Sequence, residues 1–80
     1  MIMNKDEVIR IIEATLKGGN RSPGLFDLPR VLRIRSELQS CTSIDDVLAV
    51  IQEHRKLISK AFGLSDAVIN ETLGKLKTLE

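Results

Sequence analysis

From Val8 to Leu79 the aliphatic side chains return every third or fourth position. That is the spacing of one face of an α-helix, and no sustained strand-like alternation competes with it. Nine Ile, eleven Leu and five Val supply most of the apolar bulk, against two Phe and no Trp or Tyr. The chain has one cysteine and one histidine, so neither an internal disulfide nor a zinc site can staple it. Eighty residues form one domain. A chain of this size buries only about 60% of its unfolded surface, and small helical chains often gain the missing stability by association. The pattern therefore predicts a small all-α domain spanning 1–80 whose core is aliphatic and narrow.

Local chemistry predicts a four-helix bundle with helices at about 5–17, 28–40, 44–62 and 66–79. Asn4 and Glu7 have the spacing of a capping box before the first helix. Gly18-Gly19 ends it, glycine being able to take a left-handed stop. The connecting stretch 18–27, "GGNRSPGLFD", resists regular structure, and Leu25 and Phe26 are expected to tuck it onto the core. Asp27 is the expected cap of the second helix, with Pro29 tolerated in its first turn. Thr42 or Ser43 caps the third, whose Asp45 and Asp46 suit the positive end of the helix dipole. Gly63 stops that helix and Ser65 caps the last.

Plotting residues at about 100° each separates the faces. Val68, Ile69, Leu73, Leu76 and Leu79 share one side of the last helix. The third helix is apolar over roughly half its circumference, so it is expected to touch more than one neighbour. Two arginines interrupt apolar arcs. Arg55 falls among Leu48, Ile51, Ile58 and Phe62, and Arg35 falls among Leu28, Val31 and Leu38. A buried unpaired charge costs several kcal/mol. Three arrangements avoid that: the stem lies on the core with its head in water, the head pairs with Glu53, Asp46 or Glu80, or another chain covers it. Arg35, Arg55, Leu48, Ile51, Phe62 and Phe26 are accordingly the candidate residues of a partner-facing surface.

Composition excludes several classes. The net charge is +1, so no global field draws in nucleic acid or anionic lipid. The start "MIMNKDEV" lacks a basic region followed by a long apolar run, and no segment has the ~20 apolar residues of a membrane span. With a lone cysteine, these features predict a reducing, cytoplasmic setting. His54 is read as a structural histidine and Cys41 as a small residue at a joint. Ser22, Ser43 and Ser65 fit turns and caps. No nucleophile-base pairing, metal, cofactor or small-molecule substrate is expected, and neither is an enzyme.

One stretch adds a second possibility. In "LISKAFGLSDAVINETL", Ser59 supplies a small residue, Gly63 a turn glycine, Leu64-Ser65 an aliphatic and a cap, and Ile69 and Leu73 buried positions. Residues 55–74 in this way resemble the helix-turn-helix motif of bacterial DNA-binding regulators. The resemblance implies a groove-facing surface of Ser65, Asp66, Ala67, Asn70, Glu71 and Gly74. Asn70 has an amide able to bridge adenine. Phosphate contacts would fall to bases such as Arg30, Arg33 and Lys60, since the implied face itself carries two carboxylates and no base. The leading expectation is a non-enzymatic protein-protein interaction module, self-associating or docking on a larger partner. The alternative is a helix-turn-helix regulator using residues 57–74.

Overall fold

The computed structural model describes residues 3–80. Five α-helices follow in order: α1 Lys5–Lys17, α2 Leu28–Ser40, α3 Ile44–Glu53, α4 Arg55–Phe62 and α5 Asp66–Lys77. No strand occurs among the described residues. The fold is thus all-helical, with one more helix than the four predicted. The extra boundary lies at His54, where the predicted 44–62 helix breaks in two. There φ is −104° and ψ is 16°, against about −42° for ψ in a helix. His54 Nε2 meets Glu37 Oε2 of α2 at 2.8 Å, so the side chain is tethered where the backbone leaves the helical well. The break is a bend rather than an unwinding. His54 N–H still donates to Val50 O at 3.1 Å, and its carbonyl accepts from Ile58 N–H at 3.0 Å.

The helix ends follow local chemistry in most places. Asn4 accepts from Glu7 N–H at 3.2 Å, Ser43 from Asp46 N–H at 3.2 Å, and Ser65 from Val68 N–H at 3.3 Å. Asp27 departs from expectation, because its side chain makes no cap hydrogen bond. A turn leads into α2 instead, with Gly24 O accepting from the N–H groups of Asp27 and Leu28. Gly18 also differs, ending α1 in right-handed backbone.

Val47 of α3 and Leu76 of α5 are fully enclosed. Around them Val8, Ile44, Ile51, Leu64 and Ile69 form one buried cluster with the Cys41 side chain. Helix α3 packs on α2, α4 and α5, and α1 packs mainly on α5. Thr72, a polar residue on the buried side of α5, solves its desolvation by pairing: its hydroxyl lies 3.0 Å from Val68 O and 2.8 Å from the Thr15 hydroxyl of α1. Val68, expected on that buried face, is instead partly exposed.

The connection between α1 and α2 clamps the α4–α5 turn. Arg21 N–H donates to Phe62 O at 3.2 Å. A Cβ on Gly19 would stand 2.0 Å from Phe62 O, and a Cβ on Gly63 would stand 1.8 Å from Asn20 Oδ1. Gly63 also has φ +67°, the left-handed region. Its second half behaves otherwise. Leu25 and Phe26, expected to tuck onto the core, are 88% and 93% exposed.

Gly19→Ala is expected to destabilise the chain strongly, whereas Gly24→Ala, whose Cβ would meet nothing within 4 Å, should be nearly neutral. Leu76→Ala should cost about 2–5 kcal/mol, with Tm falling by about 4–8 °C for each kcal/mol. Circular dichroism melts of the three variants check this; equal melts for Gly19→Ala and Gly24→Ala would contradict the clamp.

Candidate functional site

Between α1 and α2 the packing is left open. The opening is an apolar cleft with a volume of about 250 Å³. Ile9, Ile12 and Leu16 line its α1 wall, and Val31, Leu32 and Leu38 its α2 wall. Ile51, Ile58, Phe62 and Ile69 form its floor. The cause is visible in α2. Only Ile34 of that helix is buried, and α3 is its main support. Val31, Leu32 and Leu38 of that helix border a space that α1 does not fill.

Two charged residues line the cleft from opposite walls, Glu13 on α1 and Arg35 on α2. Both are exposed at the residue level, and no salt bridge holds Arg35 among the described residues. From the α2 wall, exposed apolar surface continues toward the helix start. Leu32 lines the cleft, Leu28 lies one turn before it on the same face, and Leu25 and Phe26 project from the preceding turn. The largest apolar patch on a monomer's surface is often a functional one.

The other interface candidates divide. Ile51 and Phe62 belong to the cleft floor. Leu48 is half-buried against the core and is not part of the cleft. Phe26 stands free at the end of the exposed strip. Arg55 is turned toward α5: Nη2 donates to Asn70 Oδ1, and Nη1 lies 3.8 Å from Asp66 Oδ1. Glu53, Asp46 and Glu80, the carboxylates named for the pairing arrangement, are not its partners among the described residues. Glu80 sits against Asp45 instead, and that hydrogen bond holds its carboxyl above the usual range. Arg55 Nε is buried without a hydrogen-bond partner.

The residues implied by the helix-turn-helix resemblance are largely engaged within the chain. Ser65 caps α5, and Asn70 holds Arg55. Ser59, at the small-residue position, donates to Leu64 O at 2.5 Å. Arg30, Arg33 and Lys60 are exposed and outside the cleft lining. The break at His54 does leave an eight-residue helix before the turn.

No group of three His, Cys, Asp or Glu able to hold a metal occurs among the described residues. Cys41 is buried and donates to Glu37 O at 3.3 Å. Burial pushes its thiol pKa up, and the nearby Asp46 carboxylate adds to this while Lys5 opposes it. His54 is occupied by Glu37. No described helix is long and apolar enough to cross a membrane. Sequence reasoning missed Ile9, Leu32 and Glu13 as cleft residues. Ile9 stood in the apolar arc of the first helix with Val8, Ile12 and Leu16, and Leu32 entered no arc. No family model, curated protein or solved structure matches the chain.

A double-mutant cycle on Arg55→Ala and Asn70→Ala should return a coupling of about 1–2 kcal/mol in urea unfolding, in line with a hydrogen bond to a charged group; additive effects would contradict the tether. The Cys41 thiol should resist alkylation in the folded chain and react at the rate of a free thiol once urea unfolds it, a contrast that mass spectrometry reads directly.

Proposed function

We propose that this chain is a helical protein-protein docking module. Its working surface is the α1–α2 cleft together with the apolar strip from Leu32 back to Phe26. The observation that carries the reading is the exposure of Leu25, Phe26, Leu28 and Leu32 as one strip that runs into an apolar cleft. Water contact along such a strip costs about 25 cal/mol for every Å² that a partner could cover. Closing the cleft internally is not available to so short a chain: α1 is committed to α5, and α2 to α3. Arg35 and Glu13 supply a polar edge of mixed sign, which fits protein recognition better than the uniform basic surface a polyanion requires.

Duplex DNA binding through α4, the turn and α5 is the second reading. The short α4 created by the break at His54 favours it. Against it stand the carboxylates of Asp66 and Glu71 on the implied face and the engagement of Asn70 with Arg55.

A photo-crosslinking residue in place of Leu32 should yield a covalent protein adduct inside the source cell, and one in place of Lys77 at the far end of α5 should not. Equal labelling from both positions, or none from position 32, would overturn the docking reading. Labelled duplex DNA at low salt, where phosphate attraction is strongest, should remain unbound.

A further inference from the structure

The exposed strip ends in a projection, and the cleft is a hollow of matching chemistry on the same molecule. We propose that the occupant of the cleft is a second copy of this chain. The two copies pair about a two-fold axis, with Leu25 and Phe26 of each entering the α1–α2 cleft of the other. This rests on the docking reading above and names its partner.

Size supports the pairing. A cavity of about 150 Å³ with aliphatic walls accepts a benzene ring. The cleft, at about 250 Å³, therefore has room for the Phe26 ring and part of Leu25. Neither residue lines the cleft of its own chain. Gly24 O holds the turn through Asp27 N–H and Leu28 N–H at 3.1 and 2.9 Å, so the projection is fixed outward rather than folded back.

Area supports it too. Covering Ile9, Leu25, Phe26, Leu28 and Leu32 to the extent they are exposed removes roughly 400 Å² of apolar surface per copy, using side-chain areas implied by transfer energies and aromatic burial. A standard interface of about 800 Å² per partner is a little over half apolar, or about 450 Å². Other occupants match less completely. A small apolar ligand in the cleft would leave Phe26, 93% exposed, in water. Reciprocal exchange covers projection and hollow together, as a self-complementary two-fold contact must.

Charge is compatible. The chain carries only +1, so two copies repel weakly. Glu13 and Arg35 line opposite walls of the cleft, which allows Arg35 of one copy to meet the Glu13 carboxylate of the other.

Sedimentation velocity from roughly 1 μM to 1 mM, the range where modest interfaces associate, tests the proposal. The wild type should shift from monomer to dimer and stop there. Phe26→Ser should weaken association at least about tenfold while its dilute-solution melt stays that of the wild type, since the side chain touches little in the monomer. Arg35→Glu should weaken the dimer, and Glu13→Arg combined with Arg35→Glu should restore it. Isotope-filtered NMR on a mixture of labelled and unlabelled wild type should show the Phe26 ring against Ile12 and Leu32 methyls of the other copy. A wild type monomeric throughout, or a dimer indifferent to Phe26→Ser, overturns the self-pairing. A monomeric wild type whose position-32 probe still labels a different protein overturns the self-pairing and leaves the docking reading intact.

Discussion

The enclosure of Val47 and Leu76 between α3 and α5 is the constraint on which the rest of the molecule depends. Among the described residues Val47 and Leu76 are the side chains most fully removed from water, and the other helices arrange themselves around them. Helix α1 joins by packing on α5 and by the Thr15–Thr72 hydrogen bond. Helix α4 follows α3 after the bend and returns to α5 through Arg55. Helix α2 is left with α3 as its main support. The cleft lies between α1 and α2, which pack on different partners.

Features set by neighbouring residues were legible in the sequence. Asn4, Ser43 and Ser65 cap their helices because a short oxygen-bearing side chain meets an N–H three residues on. Gly63 marks a left-handed stop. The wide apolar face of 44–62 correctly foretold the central place of α3. Features set by distant partners were not legible. The bend at His54 has no Pro or Gly to announce it, and its tether, Glu37, lies on another helix. Thr72 reads as a surface residue until Thr15 is seen opposite it.

The errors about the 18–27 connection are instructive. Its glycines read as generic breakers, yet Gly19 is there because Phe62 O leaves no space for a Cβ. Its Leu25 and Phe26 read as anchors, since apolar side chains in a loop usually find the core. They point outward because the first half of the connection is already fastened to the α4–α5 turn and the second half is wound into the turn that starts α2. Arg35, Ile51 and Phe62, each read from an apolar arc, line the cleft. Ile9 and Leu32 were passed over because the cleft belongs to two helices at once, and a single-helix projection cannot show it.

Docking through the cleft requires the strip from Phe26 to Leu32 to be bare in the isolated chain and covered in the complex. Solvent paramagnetic relaxation of the Leu25, Leu28 and Leu32 methyl groups by a soluble gadolinium chelate measures this most directly, with the buried Leu76 methyls as internal reference. Strong relaxation of all three residues is expected in dilute solution, with a marked loss of it as the protein is concentrated or its partner is added and Leu76 unchanged. Protection of those methyls in the dilute monomer, at the level of Leu76, would contradict docking through the cleft.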